Sequence, residues 1–134
     1  MLRFNQKLLE KVCVKYSLKL LVMFGSQASK KIHPESDLDL AFFSNKKINE
    51  QKLYEDLSAV FKRGDIDLIN LFTAHNHLLR YEILSKGKVL YESSPGLKIT
   101  MEGQSYIDYI DFKPYYEQRS LFLDKKLEEM KVNG

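Results

Sequence analysis

Cysteine is nearly missing from this sequence: Cys13 is the single thiol in 134 residues, which excludes a disulfide framework and a cysteine-based metal cluster. Lying in an apolar, periodic stretch, Cys13 is expected to be a buried structural thiol. Also missing is any apolar run approaching the roughly 18 residues that a membrane helix needs. The opening residues Met1 to Asn5 lack the apolar core of a secretory signal, so no membrane association is expected and the default location is the cytoplasm. No long block of like charge occurs. Lysine pairs such as Lys30-Lys31, Lys46-Lys47 and Lys125-Lys126 are scattered among acids, and the formal net charge is only +3. That balance gives no ground for direct nucleic-acid binding, although a mild positive bias suits a small polyanion such as a nucleotide. Internal repeats and low-complexity tracts are absent as well.

What is present suits one folded domain. Hydrophobic residues make up 44% of the chain and charged residues 29%, a composition that argues against wholesale disorder. At this length a single modest core forms, so any active site draws on most of the fold. Apolar residues at helical spacing predict a helix over 4–16, followed by a buried strand over 18–24 that Gly25 bounds. Asp37 to Phe43 alternates and then turns wholly apolar, which predicts a second strand whose first half reaches a polar site. A helix is predicted over 47–62, with Gly64 as its terminator. Asp65 to Phe72 repeats the acid-apolar alternation as a third strand. Thr73 is read as the cap of a helix over 74–85, and Lys88 to Tyr91 as a short fourth strand. Residues 93–104 read as a linker, with 97–104 unassigned. The stretch 105–130 is helical, aromatic and apolar, with Pro114 expected to kink it or to start a second helix.

Three ingredients of nucleotidyl transfer are present together. The reaction requires a grip on the nucleotide's phosphates, divalent cations, and carboxylates that hold those cations. Gly25-Ser26 follows a strand and precedes a short segment, 27–31, suited to one or two helical turns. Its backbone and the Ser26 hydroxyl can donate hydrogen bonds to phosphate oxygens. Asp37 and Asp39, two residues apart on a strand, project from one face. Two carboxylates that close repel each other, and a hard oxygen-seeking ion such as Mg²⁺ relieves the conflict. Asp65 and Asp67 repeat the arrangement on the third strand, and either can supply a third carboxylate. A Gly-Ser pair alone is usually a turn, and Asp-x-Asp alone a solvated edge. The two together, with Ser36 ten positions after Ser26, form a far more restrictive pattern. His33, His75 and His77 read as surface or packing residues, since His75 and His77 would point to different sides of a helix.

Gly25-Ser26-Gln27-Ala28 followed by Ser36-Asp37-Leu38-Asp39-Leu40 resembles the signature of the DNA polymerase β-like nucleotidyltransferases. Small size, the early motif and Asp65-Ile66-Asp67-Leu68 look most like the minimal nucleotidyltransferase, or MNT, group, and the resemblance covers residues 18–92. It implies an α/β (α+β) nucleotidyltransferase fold: a small mixed sheet of about four strands flanked by helices. By position it makes Asp37 and Asp39 metal ligands and Asp67 the third carboxylate, which binds metal and helps activate the acceptor hydroxyl; Asp65 stays the alternative. Gly25 and Ser26 fall on the phosphate-binding positions. Two departures stand out, Gln27 where the family often has arginine and Lys30 where it commonly has glycine. Lys30 or Lys31 is placed to contact a phosphate instead.

The resemblance also implies ATP as substrate, Mg²⁺ as cofactor with two ions bound, and a partner. MNT proteins with aromatic helical tails act as antitoxins that transfer AMP from ATP to a tyrosine of a HEPN ribonuclease toxin. On that reading residues 1–92 are the nucleotidyltransferase core, 93–104 the linker, and 105–134 a helical extension that packs on the core or docks the toxin in a hetero-oligomer. Two alternatives are an antitoxin that neutralises by binding alone and a transferase acting on a small-molecule hydroxyl.

Overall fold

Alternate residues along the strands face opposite sides of one sheet, and both sides are apolar except at one end. The architecture is seen in a computed structural model that describes residues 3–25, 38–74 and 76–132, with side chains to 114 and at 117–118. Along the chain run α1 (Gln6–Lys15), β1 (Leu20–Phe24), β2 (Leu38–Phe43), α2 (Glu50–Phe61), β3 (Ile66–Asn70), α3 (His77–Lys86), β4 (Lys88–Glu92) and α4 (Leu97–Val132). The strands form one mixed sheet in the order β3-β2-β1-β4. β1 pairs antiparallel with β2 and β4, whereas β2 and β3 are parallel. A parallel pair requires a crossover, which α2 supplies. The mixed four-stranded sheet with helices and a helical C-terminal extension is the expected fold class.

Each of the first three helices starts at an asparagine. The Asn5 side chain accepts from the Lys7 and Leu8 amides, that of Asn49 from Lys52, and that of Asn76 from Leu79, in each case satisfying donors that a helix start leaves open. Two expected boundaries move for local reasons. Asn76 rather than Thr73 caps α3; the Thr73 hydroxyl instead donates to the Asn70 carbonyl in the turn after β3. Gly64 does not end α2. Lys62 takes the left-handed conformation, at φ 55°, and donates its amide to Ser58 O, closing the helix two residues early.

The largest difference lies at residues 97–104, which form the first two turns of α4 rather than part of a linker. The Glu92 carboxylate accepts from the Gly96 and Lys98 amides, and negative charge at a helix start is favourable. The connection shrinks to residues 93–96, and α4 runs on through Pro114 to Val132. At about 1.5 Å per residue, α4 is far longer than any strand. α3 accompanies it as far as Phe112, on which His77 stacks with ring centroids 4.6 Å apart.

Two apolar clusters hold the layers together. On one side Leu9 and Cys13 of α1 and Leu53, Leu57, Val60 and Phe61 of α2 cover Leu21, Met23, Leu38, Leu40, Phe42 and Ile66. On the other, Ile83 and Leu84 of α3, with Leu97 and Met101 of α4, cover Leu20, Val22, Ala41 and Leu71. Burial pushes the Cys13 thiol up to about 12, with Glu10 adding to the shift, as befits an inert packing group.

Candidate active site

The second sheet face is left polar at one end. Asp39 sits between Leu38 and Leu40, both fully buried in the first cluster. The two-residue repeat of a strand therefore commits its carboxylate to the opposite side. Parallel pairing then sets Asp39 directly beside Asp67, with Leu38 beside Ile66 and Leu40 beside Leu68. The repeated acid-apolar pattern of the two strands thus becomes two carboxylates on neighbouring strands, at one end of one face. Asp39 is half-buried and Asp67 exposed.

Gly25 closes the third side. Phe24 pairs with Asp39 across the antiparallel ladder, and the chain turns at Gly25 with φ +73°, a conformation that disfavours side chains. A β-carbon there would lie 2.3 Å from Asp39 Oδ2 and 3.2 Å from its Cγ. Glycine is therefore needed twice, for its backbone and for the room it leaves the carboxylate. The contact gives a concrete reason for a glycine at the first position of the Gly-Ser motif.

Asp65 is engaged differently. Its main-chain oxygen accepts from the Leu38 amide at 3.0 Å. Its carboxylate is gripped by Arg63, with Nε donating to Oδ1 at 2.8 Å and Nη2 to Oδ2 at 2.6 Å. These hydrogen bonds hold the Asp65 carboxyl below the usual carboxylate range. The α2–β3 turn is tied further by the Tyr54 hydroxyl, which donates to the Gly64 carbonyl. Neither the Arg63 fork nor the contact between Gly25 and Asp39 was anticipated from sequence. The Arg63-x-Asp65 spacing was the one available signal for the first, and nothing local signals the second.

Ser26, Lys30 and Asp37, together with Lys31 and His33, lie outside the described residues, as does His75. Among the described residues, then, Gly25, Asp39 and Asp67 come together, and no group of three His, Cys, Asp or Glu side chains gathers to hold a metal. The chemistry of what is described suits a divalent ion nonetheless. Two carboxylates on adjacent strands supply hard oxygen donors, and a β-carbon would fill the space that the missing Gly25 side chain leaves beside Asp39. His77 takes a packing role, against Phe112. A surface cavity of about 330 Å³ between α1 and α2, lined by Leu8, Lys11, Val12, Lys15, Asp56, Ala59 and Val60, lies on the far side of the sheet and shares no residue with the carboxylates. Among the described residues no helix is long and apolar enough to cross a membrane.

Three solved structures have the same fold. One is a toxin–antitoxin complex with AMP-PNP, 20% identical over 92% of this chain and 98% of that one, with a TM-score of 0.70. Another is the MntA–HepT toxin–antitoxin complex, at 19% identity, 92% and 97% coverage, and a TM-score of 0.64. The third is a tri-AMPylated HEPN toxin of Shewanella oneidensis with its MNT antitoxin, at 20% identity, 92% and 99% coverage, and a TM-score of 0.61. No curated protein sequence matches. The polymerase beta nucleotidyltransferase family model matches residues 7–96, a span that holds the whole sheet and both described carboxylates, and the chain belongs to that nucleotidyltransferase family.

Proposed function

We propose that the protein is a Mg²⁺-dependent adenylyltransferase of the antitoxin kind, which transfers AMP from ATP to a tyrosine hydroxyl of a HEPN toxin and so inactivates it. The observation that carries the reading is the in-register pair Asp39–Asp67 beside the close-packed Gly25. In this reading Asp37 and Asp39, with Asp67, hold two Mg²⁺ ions, while Gly25 and Ser26, joined by Lys30, bind the phosphates. When bound, the ions supply charge neutralisation at the phosphates. The acceptor tyrosine oxygen attacks the α-phosphorus in line, its proton passes to an Asp67 oxygen, and the bond to pyrophosphate breaks as the new ester forms. Asp67 is favoured over Asp65 as third carboxylate because Asp67 stands beside Asp39, whereas both Asp65 oxygens are engaged by Arg63.

A macromolecular acceptor is supported by α4, which presents Ile99, Tyr106, Ile107, Ile110 and Phe112 with 42–73% of their surface exposed. Exposed apolar surface of this kind suits a protein partner. The same surface also favours a second reading, neutralisation by contact alone. The first reading places the protein in the cytoplasm with its toxin.

One experiment separates the two. The purified protein is incubated with ATP, Mg²⁺ and the HEPN protein encoded beside it, and both intact chains are weighed, with Asp37→Ala/Asp39→Ala as control. A gain on the partner of about 329 Da per AMP, lost in the control, is the expected result. Binding without gain would replace transfer by contact; neither would redirect attention to a small-molecule hydroxyl.

A further inference from the structure

A role for Arg63, a residue that the family pattern does not assign, rests on the nucleotidyltransferase reading. Asp65 and Asp67 flank Ile66, which is buried in the first cluster, so both acids belong to the opposite side of the strand. Asp65 already takes part in the ladder through its carbonyl, on the Leu38 amide. Two acids so placed would both be available to a divalent ion, and each added carboxylate strengthens the hold on the cation.

The Arg63 fork changes that. It occupies both oxygens of Asp65, and a bidentate guanidinium pair is among the stronger charge-assisted contacts. The Arg63 side chain is only 20% exposed, against 39% for Asp65, so the donor is the more firmly packed partner. It also sets a permanent positive charge at the edge of the carboxylate group. We propose that Arg63 is a positioning residue: by engaging Asp65 it withholds that carboxylate from the ions and leaves Asp67, beside Asp39, as the third member of the set. Arginine is suited to this and lysine less so, because only the planar fork engages both oxygens at once.

The test is a Mn²⁺ titration of the full-length protein, read by electron paramagnetic resonance without nucleotide. Arg63→Ala frees Asp65, and Mn²⁺ is expected to bind at least about fivefold more tightly. Arg63→Lys should fall between that variant and the unmodified protein. Arg63→Ala/Asp65→Asn should return to within about twofold of the unmodified protein, because the carboxylate released by the first change is removed by the second. If the double variant keeps the gain, loss of the arginine charge alone explains it and the proposal is overturned; unchanged affinity in a folded Arg63→Ala protein overturns it too. Should Arg63→Ala fail to fold, two other variants decide. Asp65→Asn is expected to alter affinity by less than about twofold and Asp67→Asn to weaken it at least about tenfold, whereas equal losses overturn the assignment. Asp39→Ala distinguishes the two levels. If Mn²⁺ binding is indifferent to it, the nucleotidyltransferase reading itself falls and takes this inference with it. If Asp39→Ala abolishes binding while Asp65→Asn matches Asp67→Asn, only the role of Arg63 falls.

Discussion

The two faces of the sheet are built from the same strands and serve opposite ends. On the α1–α2 face, Leu38, Leu40 and Phe42 of β2 are fully buried, as are Leu53 and Leu57 above them. On the α3–α4 face the alternate positions of β2 run from Asp39 through fully buried Ala41 to half-buried Phe43, so the same strand passes from a polar end into a core. A small domain thus makes room for a hydrophilic site: one face carries most of the packing, and the other is left polar at one end.

Mutations on the two faces should have opposite consequences. Asp39→Ala is expected to lower AMP transfer by about a thousandfold or more, with a urea unfolding midpoint close to that of the unmodified protein. Leu57→Ala, on the closed face, should do the reverse. It should cost about 2–5 kcal/mol of unfolding free energy and leave the specific activity of the remaining folded protein nearly intact. A large loss of stability in Asp39→Ala would mean that the polar end is structural after all.

Gly25→Ala tests the boundary between the two behaviours. Its methyl group would meet the Asp39 carboxylate and its backbone would be held at positive φ, so a loss of about 1–2 kcal/mol is expected, together with at least a tenfold fall in transfer as Asp39 is displaced. Equilibrium unfolding and single-turnover kinetics measure the two separately. The smallest effect is expected in acid. Because Arg63 lowers the folded-state pKa of Asp65, the pair stabilises the protein above the ordinary carboxylate pKa, and that contribution disappears as pH falls through the lowered value. In thermal melts from about pH 5 down to about pH 2, Arg63→Ala should show a shallower acid-side decline than the unmodified protein.

Much of the strand pattern was legible in the sequence because alternation is a local property of the chain. Asp37-Leu38-Asp39-Leu40 and Asp65-Ile66-Asp67-Leu68 announced strands with one acidic edge, but which acid of the second strand stands beside Asp39 depends on the parallel register that sets Asp67 there, a tertiary pairing that alternation leaves open. Helix boundaries were less legible. Thr73 and Asn76 are both good caps, and only the turn that consumes the Thr73 hydroxyl at Asn70 O decides between them. Gly64 looked like a stop signal, but the left-handed position fell on Lys62, where the amide meets Ser58 O. The start of α4 depends on Glu92 reaching the Gly96 and Lys98 amides, a bond across a turn that composition does not reveal. Of the candidate site, Gly25, Asp39 and Asp67 have observed positions that bear on the reading, whereas Ser26, Lys30 and Asp37 rest on motif alone.

The parallel pairing of β2 with β3 also orders events in time. β2 is complete at Phe43, but its partner strand begins only at Ile66, and the crossover through α2 must close before the two can align. A chain emerging from the ribosome with β2 made and β3 unmade thus carries Asp39 without Asp67. During vectorial synthesis, the in-register acidic pair appears only after β3, the third of the four strands, has been made, so a nascent fragment ending before β3 has half of it.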